Sequence, residues 1–186
     1  GSGCPLPRHR LLARRQALAA YPRLNPAIQA AAVFYDAQVS HPERLCLELL
    51  LDADTLSPHV RAVNYAGVEG VADGCVLLKD EISGRRLAVR PRLVVNAAGP
   101  WIDRVNASLN RPTRLIGGTK GSHLVLANPE LAEATRGEMF FFTNRDGRIC
   151  LFYQLDGKVL LGTTDIPVDE PEAVCTPEEA DYLLDA

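Results

Sequence analysis

The sequence is short of several things, and each shortage narrows what the protein does. There is no surplus of charge of one sign: the formal net charge is −3, which offers no basic face to a nucleic-acid backbone. There is no long apolar run either. The most hydrophobic stretches, such as "LCLELLLDA", are broken by acidic residues and fall far below the ~20 residues that cross a bilayer as a helix. The basic start "GSGCPLPRHRLLARRQ" is followed by no apolar segment and is not read as a signal peptide. No C-x-x-C pair occurs among the five cysteines, Cys4, Cys46, Cys75, Cys150 and Cys175. Their odd number and wide spacing fit inert, reduced thiols of a cytoplasmic protein better than a disulfide framework or a zinc site, so no metal is expected. Finally, no G-x-G-x-x-G opens a strand–turn–helix unit anywhere in the chain.

What is present is an ordinary globular composition. Apolar residues are 47% and charged residues 23% of 186, enough for one good-sized domain or parts of two. Residues 11–33 read as helical and then irregular, interrupted by Pro22 and Pro26. "AAVFYDAQVS" reads as a short strand ending in a polar turn. "SHPERLCLELLLDA" reads as a helix, with Ser40 and Glu43 spaced as a capping box, Pro42 in the first turn, and Leu45, Leu49 and Ala53 at helical spacing. The pieces "VRAVNYAGVEGVA", "GCVLLKD" and "RRLAVR" predict an antiparallel meander.

A continuous apolar strand is expected over Arg92–Ala97, turning at Gly99 into a helix that starts at Pro100, is favoured by Asp103, and carries Ile102, Val105 and Leu109 on one stripe. Further strands are predicted in "KGSHLVLA", "GEMFFFTN", "RICLFYQL" and "KVLLGTTD", joined by turns at "NRDG" and "LDGK". A last helix opens at Thr176, Pro177 and Glu179 with full capping signals and no terminating signal. The chain is therefore expected to be a piece of a longer protein.

Three stretches carry candidate chemistry. In "NAAGPW" the small residues bare the end of a strand against a helix start, where open α/β sheets hold phosphate or flavin groups; a close-packed turn without ligand has the same residues. In "GGTKGSHLVL", strand alternation puts Gly121, His123 and Val125 on one face and Ser122, Leu124 and Leu126 on the other. His123 can take up a proton near neutral pH, or can serve as a hydrogen-bonded structural residue. In "LLGTTD", Thr164 and Asp165 either point at a ligand or cap a turn. His9, His41 and His59 read as surface residues.

Taken in order, "FYDAQVSHPERL", "VNYAGVEGV", "LVVNAAGPWIDRV", "GTKGSHLVL" and "LLGTTD" resemble the FAD-dependent glycerol-3-phosphate dehydrogenases and the related α-glycerophosphate oxidases. The likeness runs from about Ala17 to the end of the chain. "NAAGPW" alone marks the wider D-amino-acid-oxidase-like flavoproteins; "YDAQV", "KGSH" and "GTTD" narrow the resemblance to the glycerol-3-phosphate branch. It implies a mixed α/β and α+β architecture: a partial FAD-binding domain joined to a mixed, largely antiparallel substrate-domain sheet with flanking helices. On that pattern residues 1–57 supply a substrate-domain strand and helix, 58–112 part of the FAD-binding domain, and 113–186 the substrate-domain sheet with a truncated helix. The family's N-terminal G-x-G-x-x-G and its phosphate-gripping C-terminal arginines have no counterpart here.

The activity implied by the resemblance is oxidation of sn-glycerol 3-phosphate to dihydroxyacetone phosphate, with hydride passing to FAD and the electrons onward to quinone or oxygen. By the match at "KGSH", His123 is similar to the family's active-site histidine. Ala97, Ala98, Gly99, Pro100 and Trp101 would line the flavin, and Lys120, Thr164 and Asp165 would take neighbouring places at the substrate. The resemblance also carries a cytoplasmic location, with room for peripheral attachment to the inner face of the cytoplasmic membrane. Two other readings stay open: an oxidase of the same superfamily acting on an amino acid, and a non-catalytic β-rich binding module.

Overall fold

In the computed structural model, which describes residues 6–186, the chain divides into two units, Gly1–Ala62 and Val63–Ala186. In the first, strand β1 (Arg10–Ala13) pairs antiparallel with β2 (Ala30–Val33), Arg10 opposite Val33. Helix α1 (Arg14–Ala20) follows β1 directly and ends just before Pro22. The expected helical start at residue 11 is thus corrected: Leu11 and Leu12 belong to the ladder with β2, a tertiary pairing that overrides their helical preference.

Helix α2 (Pro42–Leu56) carries Pro42 in its first turn as expected, where a missing N–H costs nothing. The capping box does not form. His41 holds the cap position without a side-chain cap bond, and the Ser40 hydroxyl lies 3.0 Å from His41 Nδ1. No residue of α2 is buried, and Leu45 and Leu49 of the expected apolar stripe are exposed.

The second unit begins with the expected meander. β3 (Ala66–Ala72), β4 (Cys75–Asp80) and β5 (Arg86–Val89) form a three-stranded antiparallel sheet in that order. Its first hairpin turns through Asp73 and Gly74, both with positive φ, the geometry a two-residue hairpin needs. A 3₁₀ turn (Gly99–Trp101) leads into helix α3 (Ile102–Ser108), which packs on β3. Gly70 makes room for it, because a Cβ there would stand 3.3 Å from the Ser108 carbonyl oxygen.

The strand expected over Arg92–Ala97 does not form. The segment pairs with no described strand, and Leu93 and Val95 remain 78% and 80% exposed. A continuous apolar run is the pattern of a strand covered on both faces and paired on both edges. Here neither condition is met: β3 and β5 are the outer strands of their sheet, and the segment joins neither of them.

The largest sheet has the order β7–β10–β9–β8 and is antiparallel throughout. Its strands are β7 (His123–Leu126), β8 (Phe140–Thr143), β9 (Ile149–Leu155) and β10 (Lys158–Gly162). Helix α4 (Pro129–Thr135) packs on β9 and β10, and helix α5 (Pro177–Leu184) on β7. They bury Val159 and Cys150 of the sheet together with Ala132, Thr135 and Leu183 of the helices. Phe140 stacks on Phe152 across β8 and β9, centroids 5.0 Å apart. A small ladder, β6 (Thr119–Lys120) with β11 (Ile166–Pro167), extends this region.

Helix α4 is absent from the sequence expectations although its signals are present. Asn128 accepts from Leu131 N at 2.9 Å, Pro129 takes the first turn, and Arg136 and Gly137 end it with positive φ. The described cysteines Cys46, Cys75, Cys150 and Cys175 are free thiols, and Cys4 lies outside the described residues. Among the described residues no helix is long and apolar enough to cross a membrane.

The core beneath α5 can be tested by truncation. Leu183→Ala, at a side chain with no exposed surface, is expected to cost about 2–5 kcal/mol in urea unfolding. The neighbouring Leu184→Ala, at 62% exposure, is expected to stay within about 0.5 kcal/mol. Similar values for the two would mean that α5 does not present Leu183 to the sheet.

Candidate functional site

The first cluster surrounds the bend after the extended segment. Asn96 organises it. Its Oδ1 accepts from the Ala98 N–H at 3.1 Å, and its Nδ2 donates to the Ile102 carbonyl at 2.9 Å and to Asn106 Oδ1 at 2.6 Å. These bonds hold Ala97 and Ala98 against the start of α3. Gly99 follows at φ +55°, and no atom lies within 4 Å of where its Cβ would stand. A cavity of about 220 Å³ opens beside Ala97 and Ala98, with Val68, Val76 and Val94 among its walls; His123 is not one of its lining residues.

Pro100 is the second residue of the turn and Trp101 is 42% exposed. The Trp101 indole N–H donates to Glu172 Oε1 at 2.6 Å, and Arg104 pairs with both Glu172 and Glu170. The indole donor, with Arg104 behind it, holds the Glu172 carboxyl below its usual range. Asp103 is likewise lowered, because it accepts from the Thr113 hydroxyl and from the Ile116 and Leu115 N–H groups.

The second cluster lies on the open face of the four-stranded sheet. Cross-strand register sets His123 opposite Gly162, Gly162 opposite Leu151, and Leu151 opposite Phe141. Side chains in such a row share one face. The next row is Val125, Leu160 and Tyr153. His123 and Val125 are exposed while Ser122 is buried, the alternation expected from the sequence. The imidazole lies across the backbone of Gly162: a Cβ there would stand 2.2 Å from His123 Cδ2 and 2.7 Å from Nε2. Glycine is the residue that leaves the ring its place.

The third cluster is buried behind that row, and its centre is Glu179 in the first turn of α5. Glu179 is 3% exposed. Its Oε1 accepts from the Ser122 and Thr164 hydroxyls, each at 2.8 Å; its Oε2 accepts from Lys120 Nζ at 2.5 Å and from the Thr176 N–H at 2.9 Å. Ser122 and Thr164 also grip each other directly. The Ser122 N–H donates to Thr164 Oγ1 at 2.9 Å, and the Thr164 N–H to the Ser122 carbonyl at 3.3 Å. The Lys120 hydrogen bond is the largest cause that brings the Glu179 carboxyl down to about 2, with the other donors adding to it against the cost of burial.

The sequence-predicted residues therefore have distinct surroundings. Ala97 and Ala98 line the cavity, and Gly99 leaves open space beside it. Lys120 is committed to Glu179 and to the Val174 carbonyl, Thr164 is buried against Glu179, and Asp165 pairs with Arg148 at 3.1 Å. The first and third clusters meet on one segment: Glu172 takes the Trp101 indole and Val174 takes Lys120. Glu179, Asn96 and Gly162 were not singled out from sequence. Glu179 showed only a helix-cap spacing, while Asn96 and Gly162 lie within the "NAAGPW" and "LLGTTD" stretches without being distinguished there from their neighbours.

The FAD dependent oxidoreductase family matches this chain over residues 3–186. A glycerol-3-phosphate dehydrogenase of Synechocystis sp. is 30% identical across 96% of the chain and 35% of that relative. An aerobic glycerol-3-phosphate dehydrogenase of Staphylococcus aureus is 28% identical across 96% of the chain and 33% of the relative. Among solved structures, the glycerol-3-phosphate dehydrogenase of Bacillus halodurans complexed with FAD superposes with a TM-score of 0.77 at 28% identity, covering 95% of this chain and 36% of that one. The L-α-glycerophosphate oxidase of Mycoplasma pneumoniae with FAD bound shares the fold, with a TM-score of 0.65 at 18% identity over 95% of this chain and 47% of that one. The chain spans about a third of the length of the curated relatives it matches.

Two outcomes follow from the geometry. Gly162→Ala is expected to push the imidazole aside and shift the His123 ring resonances in NMR; unchanged resonances would mean the ring does not lie on Gly162. For Glu179 the fold favours the ionised form, so its contribution to stability is complete above the ordinary value of 4.5 and is lost as pH falls from there through about 2. The urea midpoint of the wild type is expected to fall across that window more steeply than that of Glu179→Gln, whose amide does not titrate. Parallel slopes would contradict the assignment.

Proposed function

The chain belongs to the FAD dependent oxidoreductase family, and from that premise we propose that it is the middle part of a flavin-dependent dehydrogenase oxidising sn-glycerol 3-phosphate to dihydroxyacetone phosphate. The observation that carries the reading is His123. It presents an imidazole on the open sheet face, seated on a glycine that has no side chain to obstruct it, within the stretch resembling the glycerol-3-phosphate branch. The names of the relatives support the same substrate. In this reading residues 58–112 contribute to the flavin domain, and 1–57 with 113–186 to the substrate domain.

The residues present suit the edge of a flavin. Gly99 leaves open space where a side chain would stand, and Ala97 and Ala98 border an apolar cavity. These three, with Pro100 and Trp101, would hold the ring system's edge. The chain has no G-x-G-x-x-G to cradle a pyrophosphate. When bound, the flavin supplies the acceptor for the hydride that leaves C2 of the substrate.

The chain's own contribution is position and a proton. His123 takes the proton of the C2 hydroxyl on a ring nitrogen as that carbon becomes a carbonyl, which is general-base catalysis by an imidazole. Lys120 and Thr164, bound to Glu179, support the strand that carries His123, and Asp165 stands at the edge of the same turn. The electrons pass onward to quinone or oxygen. We place the enzyme in the cytoplasm, attached peripherally to the inner face of the membrane when quinone is the acceptor.

The test is His123→Asn in the full-length, FAD-loaded enzyme. Anaerobic bleaching of the flavin by glycerol 3-phosphate is expected to slow about 10²–10⁴-fold with the flavin-to-protein ratio unchanged. Undiminished bleaching would remove His123 from the reaction. Bleaching by an amino acid instead of glycerol 3-phosphate would favour the amino-acid oxidase reading.

A further inference from the structure

We propose that Glu179 is a positioning residue for His123, acting through Ser122 and Thr164. The inference rests on the reading of His123 as the base and extends it to a group far away in sequence. One Glu179 oxygen takes both the Ser122 and the Thr164 hydroxyl. Ser122 immediately precedes His123, and Thr164 stands two residues beyond Gly162, the glycine under the imidazole. The two are also tied to each other through both backbone groups of Ser122. The carboxylate therefore clamps the ends of β7 and β10 at the level where the ring lies on its partner strand.

The other Glu179 oxygen fixes the clamp in turn. It takes Lys120 Nζ and the Thr176 N–H, so the helix start and the β6 strand are held by the same group. The carboxylate itself is buried, and it cannot shift without leaving donors unpaired. A general base must stand within hydrogen-bond reach of its proton, and a displacement of ~1 Å costs about 100-fold in rate. A rigid anchor behind the sheet supplies that tolerance, while the imidazole itself stays free on the exposed face.

The experiment is a double-mutant cycle on the full-length, FAD-loaded enzyme, using Glu179→Gln, Thr164→Val and His123→Asn, with glycerol 3-phosphate as substrate. Flavin content per protein is measured first, so that only folded holoenzyme is compared. Glu179→Gln is expected to lower kcat about 10- to 100-fold and to leave KM within about threefold. In the His123→Asn background the same change is expected to cost nothing further, because there is no base left to misplace. Thr164→Val, which keeps the volume and removes the hydroxyl, is expected to repeat both results, and it carries the test if Glu179→Gln does not fold. Losses that multiply with His123→Asn, or a raised KM at unchanged kcat, would overturn the positioning role while leaving the base in place. Full activity of His123→Asn alone would instead overturn the reading of the base.

Discussion

Four hydrogen bonds converge on one buried carboxylate, and the geometry of the candidate site depends on them. A carboxylate withdrawn from water is tolerated only when its lone pairs are answered by donors. Glu179 meets that demand with an ammonium, two hydroxyls and a backbone N–H. The donors come from β6, from the residue before β7, from the turn after β10, and from the cap of α5 itself. Because each is needed to satisfy the same group, none of these pieces can shift alone.

That anchoring explains the contrast between the two faces of the four-stranded sheet. The covered face is closed by α4 and α5 over Val159 and Cys150, and its apolar side chains stabilise the sheet by leaving water. The other face carries His123 above Gly162, with Val125, Phe141 and Ile149 exposed. The face that carries His123 thus owes its order to what lies behind it. At the first cluster Asn96 plays a comparable part. It satisfies backbone and side-chain groups across the bend, leaving Ala97 to Gly99 to offer only small surfaces.

Local signals in the sequence transferred well wherever the structural cause was local too. The β3–β5 meander, the β8–β9 and β9–β10 turns, the cap of α5 and the alternation that exposes His123 and buries Ser122 all rest on residues close in the chain. Burial did not transfer, because burial depends on what lies opposite. Leu45 and Leu49 sit at helical spacing on α2 and are exposed, and the Arg92–Ala97 run has strand composition but pairs with no described strand. Helix α4 shows the opposite failure, since Asn128 and Pro129 announce it but stand between two conspicuous strands whose signals are stronger. Of the candidate site, the small residues and the histidine were legible. The Glu179 network was not, since it joins positions 120, 122, 164 and 179, and no spacing rule links them.

The "KGSH" stretch shows how such a motif divides its labour. Lys120 is expected in a neighbouring place at the substrate, and its ammonium is bound to Glu179 and to the Val174 carbonyl, with its side chain only 15% exposed. Gly121 leaves room for the Thr163 hydroxyl, which stands 2.5 Å from where a Cβ would be. Ser122 is wholly engaged with Glu179 and Thr164. Three of the four residues therefore face the scaffold, and His123 alone faces outward. The first three account for where the fourth is held, so a change at Ser122 or Lys120 alters the imidazole's environment without touching any ligand. The same holds for Glu179. As the third residue of its helix it closes the capping box with Thr176, and its other oxygen reaches into the sheet. One carboxylate thus caps the helix and ties it to the strands beside it, joining a local signal to contacts far away in sequence.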